Sequence, residues 1–272
     1  MTSAPLLEVR HVTRDYALSG AGPFARKTFR AVDDVSFTLE PGSVLGIVGE
    51  SGSGKSTLAR IVMALDAPTS GEVLFEGDAL QTLAPAALRR RRRDFQMVFQ
   101  DPYGSLDPRQ SIGRIVAEPL HLAGTLSRRD RAARVAEALE SVGLKASDSA
   151  RYPHEFSGGQ RQRIAIARAL ITEPKLLVAD EAVSALDLSI QSQILKLLMA
   201  LKDRHGLTIL FISHNLGVIE EIADRVGVMH AGRLIELGPA AEVLHRPQQK
   251  YTRELLDAEP TLDIIGRKQR RR

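Results

Sequence analysis

The sequence predicts an α/β fold in which a mainly parallel sheet is covered by helices, with an antiparallel β part at the N-terminus and an inserted helical subdomain. Three observations lead to this prediction. Short apolar runs rich in Val, Ile and Leu alternate with helical patterns, which is typical of buried parallel strands and their connections. A glycine-rich loop joins one such strand to a helix, and one long region has consecutive helical patterns without a strand.

The predicted strands of the core are five apolar runs that end at turn residues. They are Val44–Val48, Met97–Phe99, Leu176–Ala179, Thr208–Ile212 and Val226–Met229. Helical patterns lie between several of them, at Lys55–Ala64, Gln160–Ile171 and Ile190–His205. Strand and helix therefore alternate as a helix-covered sheet requires.

The inserted helical subdomain is predicted at about residues 102–160. Within it, Ile112–Ala123 and Arg128–Val142 have helical patterns that follow each other directly. Earlier in the chain, Gly20–Lys27 is polar, contains Gly and Pro, and is predicted to be a surface loop.

Composition excludes several classes of protein. With 272 residues, 43% of them hydrophobic and 26% charged, the chain can bury a sizeable core and is not predominantly disordered. The absence of Cys excludes disulfides, thiolate metal sites, Fe–S clusters and cysteine nucleophiles. No stretch approaches the roughly 20 consecutive apolar residues of a membrane-spanning helix, and the start lacks the order of a signal peptide, so we expect a cytosolic chain.

The net charge of +4 is concentrated in two basic runs, Arg89–Arg93 and Arg267–Arg272. Charge runs of this kind are most often a solvated helix face or a charged tail. Contact with an anionic lipid or with RNA is the alternative, and local runs alone are weak evidence for it.

A phosphate-binding loop is predicted at residues 49–57, GESGSGKST, directly after a strand and before a helix. Glycines let the backbone wrap closely around a triphosphate, so that N–H groups and the helix N-terminus face its oxygens. Lys55 would reach the β- and γ-phosphates, and the Ser56 hydroxyl can bind Mg²⁺. The predicted site comprises Gly49, Glu50, Ser51, Gly52, Ser53, Gly54, Lys55, Ser56 and Thr57.

Two adjacent carboxylates follow the apolar run in LLVADE, residues 176–181. They would lie at the sheet edge where open α/β folds bind ligands. Asp180 is predicted to hold Mg²⁺ through its hydration shell, and Glu181 to polarise the attacking water. Such a pair is a weak signal alone, and the interpretation depends on the phosphate loop in the same predicted sheet.

Tyr16 is the candidate for stacking on a nucleotide base. It is the only Tyr or Trp before the phosphate loop and follows the first predicted strand. Phe24 and Phe29 are alternatives at the same end of the chain.

Residues 156–163, FSGGQRQR, resemble the LSGGQ signature of the ATP-binding-cassette (ABC) family, with Phe156 in place of Leu. The resemblance implies a P-loop NTPase core. It also implies that Ser157, Gly158, Gly159 and Gln160 close on the γ-phosphate held by an opposite subunit.

Three further residues match motifs of that family in the family's order. Gln100 resembles the Q-loop residue that contacts Mg²⁺ and the nucleophilic water. Asp187, in SALD, resembles the D-loop aspartate, and His214, in FISHN, resembles the switch histidine at the γ-phosphate. The implied catalytic residues are Glu181, His214, Gln100 and Lys55.

One branch of the family is particularly similar. VFQDPYGSLDPR at 98–109, EPL at 118–120 and PQQKYTRELL at 247–256 resemble ATPases of dipeptide, oligopeptide and nickel importers. Gln249 and Lys250 replace the usual His and Pro, Ala182 replaces a Pro, and Asn215 replaces an Asp. The resemblance implies an ATPase domain at 1–260, with a C-terminal segment and basic tail at 247–272.

The resemblance implies an ATPase that uses ATP and Mg²⁺ and drives import in a nucleotide-sandwich dimer. The implied partners are a related second ATPase subunit or a second copy, two transmembrane permease subunits and an extracytoplasmic substrate-binding protein. The implied location is peripheral, at the cytoplasmic face of the inner membrane. The cargo stays open among dipeptides, oligopeptides and nickel.

The alternative is a soluble ABC ATPase acting on nucleic acid or ribosomes. Such relatives usually carry two cassettes or a long coiled-coil insert, whereas this chain has one cassette and a short insert. Nucleic acid is therefore disfavoured as a partner. A P-loop kinase is disfavoured by FSGGQ.

Overall fold

The computed structural model describes residues 4–17, 28–99, 101, 104–122 and 126–258. The predicted loop at 20–27, Gln100 and the tail at 267–272 lie outside these residues. The chain divides into two compact units, the first formed by Met1–Thr82 and Leu210–Arg272, the second by Leu83–Ile209.

The described part of the chain alternates strands and helices as predicted. The described strands are β1 (Leu7–Ala17), β2 (Thr28–Leu39), β3 (Val44–Val48), β4 (Ser70–Phe75), β5 (Asp78–Ala79), β6 (Phe95–Val98), β7 (Leu176–Asp180), β8 (Thr208–Ile212), β9 (Arg225–His230) and β10 (Arg233–Pro239). The described α-helices are α1 (Lys55–Val62), α2 (Pro85–Arg91), α3 (Ile112–Ala117), α4 (Arg128–Ser141), α5 (Gly158–Leu170), α6 (Leu188–His205), α7 (Leu216–Ile222), α8 (Ala240–His245) and α9 (Lys250–Ala258).

The first unit contains the predicted antiparallel β part. Its four strands lie in the order β2-β1-β4-β5, and each neighbouring pair is antiparallel. In the register of β1 and β2, Tyr16 lies opposite Phe29.

The parallel part of the first unit is centred on β3, whose five residues are all buried. Gly46 of β3 lies opposite Val226 of β9 in a parallel pair, and β10 runs antiparallel to β9. Helix α7 packs on β3, because a Cβ on Gly46 would lie 2.6 Å from the Ile219 side chain. A strand buried on all sides reads as a continuous apolar run, which is why β3 was predicted to the residue.

The second unit combines a parallel strand pair with the predicted helical insert. Phe95 of β6 lies opposite Leu176 of β7. Helices α3, α4 and α5 pack against one another, and the core between them includes Ile112, Leu139 and Ile166, each fully buried.

Several predicted boundaries were wrong for identifiable reasons. The predicted helix Ile112–Ala123 ends at Ala117 and continues as a 3₁₀ turn at Glu118–Leu122, because Pro119 has no N–H and its ring clashes in a helix interior. The predicted helix Lys55–Ala64 ends at Val62, since Ala64 has φ +48°. Predicted strand Met97–Phe99 is Phe95–Val98 in the structure.

Two other helices begin earlier than predicted. Helix α5 begins at Gly158, because the Ser157 side chain caps its first turn. Helix α6 begins at Leu188, and the carbonyl oxygen of Asp187 accepts the N–H groups of Ile190 and Gln191. The bounds of helices α2, α7, α8 and α9 were not predicted. Among the described residues, no helix combines the length and apolar character needed to cross a bilayer.

The first basic run lies at the end of α2, a helix without a buried residue. Arg91 and Arg93 both pair with Asp94, at 3.2 Å and 3.3 Å. The run is therefore partly neutralised by its own neighbour.

Candidate nucleotide-binding site

The loop between β3 and α1 is folded so tightly that two of its positions accept only glycine. Gly49 has φ +149° and Gly54 has φ +104°. A Cβ on Gly49 would lie 2.2 Å from the Met229 carbonyl oxygen, and a Cβ on Gly54 would lie 2.3 Å from the Ala31 carbonyl oxygen. The loop is therefore pressed against the backbone of β9 on one side and of β2 on the other.

Lys55, the first residue of α1, is only 5% exposed. Its ammonium donates to the carbonyl oxygens of Gly49 and Glu50, each at 2.8 Å. A buried ammonium is stable only with such partners. The structure thus holds one positive charge inside the loop that the sequence predicts to bind phosphate.

The N-terminus of α1 is arranged to receive an anion. Gly54 occupies its cap position and has no side chain with which to cap the first turn, and that turn contains no acidic residue. The first N–H groups of a helix have no partner within the helix, and the helix dipole places partial positive charge there. The Ser56 side chain is exposed at this end of the helix.

The turn between β9 and β10 supports the middle of the loop. The Gly232 N–H donates to the Ser53 carbonyl oxygen at 3.0 Å, and the Asp33 N–H donates to the Gly232 carbonyl oxygen at 2.8 Å. The Asp33 carboxylate pairs with Arg233 at 2.5 Å and Arg30 at 2.9 Å, and these two guanidinium groups lower its pKa. The phosphate loop is therefore tied to both neighbouring strands.

His214 lies at the same end of the first unit's sheet as the loop. The N–H of Ser213 donates to the Ile47 carbonyl oxygen at 3.1 Å, so the residue after β8 lies beside the end of β3. His214 is exposed, and Asn215 caps α7 by accepting the Val218 N–H at 3.1 Å. Asn215 thus performs a capping role that Asp also performs, which explains why this departure is tolerated.

Tyr16 is held from two sides. Its hydroxyl donates to Asp66 at 2.6 Å, just beyond α1, and the Arg14 guanidinium lies 4.6 Å from the centre of its ring. Arg14 also pairs with Asp66 at 2.7 Å. One face of the ring is therefore covered by a cation, in an arrangement that fixes the ring's orientation.

The two acidic residues after β7 lie in the second unit, and both are half-buried. Asp180 ends the strand, and Glu181 has φ +49°, a conformation that is strained for a residue with a Cβ. The Ser184 N–H and hydroxyl both donate to the Glu181 carbonyl oxygen, at 3.1 Å and 3.0 Å. A tight turn thus holds Glu181 in this conformation.

The predicted signature forms the start of α5, also in the second unit. Ser157 accepts the Gln160 N–H at 3.4 Å, and the Ser157 N–H donates to the Gln160 side chain at 3.0 Å, which is a capping box. Gly158 opens the helix, and a Cβ on Gly159 would lie 2.6 Å from the Ile190 side chain of α6. Close packing of α5 against α6 therefore favours glycine at 159.

Asp187 occupies the cap position of α6 and is exposed. Its carbonyl oxygen accepts the N–H groups of Ile190 and Gln191. The Gln191 side chain donates to the Val183 carbonyl oxygen at 2.9 Å, which fixes the turn between Glu181 and α6.

The structure thus places the predicted site residues in two sets. The phosphate loop, Tyr16 and His214 lie in the first unit, whereas Asp180, Glu181, Asp187 and the signature lie in the second. Sequence reasoning missed Asp66 and Arg14, and no motif marks them. It also gave no structural role to the C-terminal helix, although the PQQKYTRELL pattern identified the segment.

The buried lysine, the left-handed glycines and the strand-loop-helix setting define a P-loop nucleotide-binding domain. A family model described as ABC transporter matches residues 32–184. The chain therefore belongs to the ABC transporter family, which confirms the resemblance carried by the signature.

Curated relatives include the glutathione import ATP-binding protein GsiA of Escherichia coli strain K12, which is 52% identical over 260 residues. The protein of the same name from Shigella sonnei matches equally well. Each alignment covers 95% of this chain and 42% of the relative. The chain thus spans about two fifths of the length of these relatives.

Solved structures confirm the predicted fold class. The ATP-binding cassette MJ0796, in a dimeric post-hydrolysis state bound to ADP and Pi, is 30% identical with a TM-score of 0.76. That match covers 86% of this chain and 98% of the cassette. CbiO1 from Clostridium perfringens, part of the transporter complex cbiONQ, is 28% identical with a TM-score of 0.77. That match covers 97% of this chain and 100% of CbiO1.

The contact between Gly49 and β9 leads to a stability prediction. We expect Gly49→Ala to lower the free energy of unfolding by about 3 kcal/mol or more, because backbone strain and a clash with the Met229 carbonyl add together. Gly52→Ala is the matched control, since Gly52 has φ +82° but no atom within 4 Å of the added Cβ. Its expected loss is about 1 kcal/mol. Urea unfolding without nucleotide measures both, and equal losses would contradict the close packing.

Proposed function

We propose that this chain is the ATP-binding subunit of an ABC importer and hydrolyses ATP in a dimer of two such subunits. The observation that carries the proposal is the phosphate loop, in which Gly49 and Gly54 shape the backbone and Lys55 places a buried ammonium. Family membership supports it, and both named relatives are import ATP-binding proteins.

Residues 49–57 are proposed to bind the nucleotide phosphates as a set. Backbone N–H groups of a glycine-rich loop and a helix N-terminus bind anions directly. Lys55 adds a charge-assisted contact to the β- and γ-phosphates. The structure supports this assignment because uncapped α1 begins at that lysine.

Ser56, Gln100 and Asp180 are proposed to hold Mg²⁺, Asp180 through water. A hydroxyl, an amide and a carboxylate all offer the hard oxygen atoms that Mg²⁺ prefers. Within the described ranges there is no cluster of three or more His, Cys, Asp or Glu that could hold a metal ion. The donor set fits an ion that takes most of its ligands from phosphates and water, and its chemistry would be neutralisation of phosphate charge.

Glu181 is proposed to accept the proton of the attacking water. Its left-handed backbone turns the chain immediately after Asp180, which supports a separate role for each of the two adjacent carboxylates. His214 is proposed to contact the γ-phosphate, and Gln100 to orient the water. Each role would stabilise a transition state whose charge lies on the phosphate oxygens.

Tyr16 is proposed to stack on adenine through the ring face opposite Arg14. The Asp66 and Arg14 contacts support this proposal, because they fix the ring before a base arrives. Phe29, its cross-strand neighbour, is 52% exposed and is the alternative stacking residue.

The complete site is proposed to need a second subunit. Ser157, Gly158, Gly159, Gln160 and Asp187 of one chain would face the γ-phosphate held by the loop of the other. The exposed positions of Ser157 and Asp187 support this proposal. The MJ0796 cassette supports it as well, because that relative is a dimer in its structure with ADP and Pi.

The proposed cargo is a peptide-like molecule. The names of the two relatives refer to glutathione, which is a tripeptide. The sequence itself resembles the ATPases of dipeptide, oligopeptide and nickel importers. Two membrane permease subunits and an extracytoplasmic binding protein are the proposed partners, with this chain at the cytoplasmic face of the membrane. The second ATPase would be a related chain or a second copy.

We expect Glu181→Gln to abolish ATP hydrolysis while ATP binding survives. The amide keeps the shape of the side chain but cannot accept the proton of the water. Phosphate release and equilibrium binding are measured on the same protein, and Glu137→Gln, an exposed acid of α4, is the control. Substantial turnover by Glu181→Gln would refute the assignment.

Mixing two inactive variants tests the shared site. In a mixed dimer of Ser157→Arg and Lys55→Ala, one site carries both defects, while the other combines an intact loop with an intact signature. We expect activity to return in part on mixing, provided that the unmutated chain hydrolyses ATP as a homodimer. No recovery in such a system, or full activity of a strictly monomeric sample, contradicts a site shared between subunits.

A further inference from the structure

The C-terminal helix α9 reaches the phosphate loop within the first unit. Tyr251, in its first turn, accepts the Glu50 N–H through its hydroxyl oxygen at 3.4 Å. The two residues are 201 positions apart in the sequence. The contact is long for a hydrogen bond, so its importance depends on what holds Tyr251 there and on which peptide group it meets.

A carboxylate of β10 holds the start of α9 in place. Glu236 accepts the Gln248 N–H at 2.7 Å, the Gln249 N–H at 3.2 Å and the Thr252 hydroxyl at 2.5 Å. Thr252 is 1% exposed. Because the two N–H groups directly before α9 and a hydroxyl of its first turn all donate to Glu236, this carboxylate acts as a cap supplied from another element and fixes where the helix begins.

The ring of Tyr251 is held by a second aromatic residue. Its centre lies 3.9 Å from that of the His230 ring, with the planes tilted by 38°. His230 follows Met229, whose carbonyl oxygen is the atom that Gly49 approaches. Burial raises the pKa of the Tyr251 hydroxyl above its usual value.

The peptide group that Tyr251 meets is the one that Lys55 binds from its other end. The Glu50 N–H and the Gly49 carbonyl belong to the same peptide plane, and the Lys55 ammonium donates to that carbonyl at 2.8 Å. A peptide plane is rigid, so an acceptor at its N–H restricts the direction of its carbonyl. Hydrogen bonds at both ends also strengthen each other.

We propose that Tyr251 is a positioning residue for ATP, which acts by fixing the Gly49–Glu50 peptide and, through it, the Lys55 ammonium. The inference rests on the proposed function of residues 49–57 as the ATP site. It gives the PQQKYTRELL segment a physical role in this chain: the segment completes the phosphate loop from the far end of the sequence.

The test is the affinity of the full chain for the non-hydrolysable analogue AMP-PNP with Mg²⁺, measured by calorimetry. Tyr251→Phe removes the hydroxyl and keeps the ring on His230, whereas Tyr251→Leu removes both contacts. Glu254→Gln is the matched control on the same helix, since Glu254 is exposed and pairs only with Lys250 among the interactions of the described chain. Urea unfolding of each variant reports stability separately.

We expect Tyr251→Phe to weaken binding about two- to fivefold and Tyr251→Leu about tenfold, because a freed peptide no longer orients Lys55. The KM for ATP should rise by more than kcat falls, because Lys55 contacts the phosphates in the bound state as well as in the transition state. The amides of residues 49–54 should exchange hydrogen faster. Glu254→Gln should bind like the unmutated chain. Affinities are compared where every protein is fully folded, so that a loss of stability cannot imitate the effect.

The outcomes separate the inference from the function on which it rests. If the unmutated chain binds no AMP-PNP, the proposed ATP site itself fails. If the unmutated chain binds and both Tyr251 variants bind equally well, the inference is overturned and the ATP site stands. An equal loss for Glu254→Gln would also overturn it, since the effect would then belong to the helix and not to the hydroxyl and ring.

Discussion

The close approach of the phosphate loop to two strands is the constraint on which the rest of the first unit depends. The Met229 and Ala31 carbonyl oxygens occupy the space where side chains at 49 and 54 would lie. Glycine at these positions allows the loop to curl, and the curl presents its carbonyl oxygens to Lys55. The buried ammonium and the shape of the loop therefore require each other.

The supports of this loop come from the far end of the chain. The β9–β10 turn binds Ser53 through Gly232, and α9, capped by Glu236, meets the Glu50 N–H. Residues beyond 225 thus form a frame around residues 49–55. Such a frame gives the phosphate loop a fixed geometry, and the cap position of α1 has no side chain that could compete with an anion there.

Sequence patterns predicted those features that are local. The strands Val44–Val48 and Thr208–Ile212 were predicted to the residue, because buried parallel strands are continuous apolar runs with turn residues at their ends. The phosphate loop was predicted because its glycines and lysine are close in sequence. The roles of Glu181, Ser157 and Tyr16 stay predictions, and Gln100 lies outside the described residues.

Features that depend on distant contacts could not be predicted. The extension of the helix at 112 to residue 123 is an error of another kind, because Pro119 is a local signal that ends the helix although the apolar pattern continues past it. Asp66 carries no local signal, and the motif around Tyr251 does not indicate its contact, because the partners of both residues lie on other elements. Their contacts are visible only after the chain has folded.

The central claim is that residues 49–57 bind the phosphates of ATP through a charge held by the loop. The most direct measurement is ATP affinity of Lys55→Ala beside Lys196→Ala, which removes an exposed lysine of α6 from the same protein. The account predicts that Lys55→Ala loses about a hundredfold in affinity, as one charge-assisted contact disappears, while Lys196→Ala binds normally. Unchanged affinity of a folded Lys55→Ala protein would contradict it.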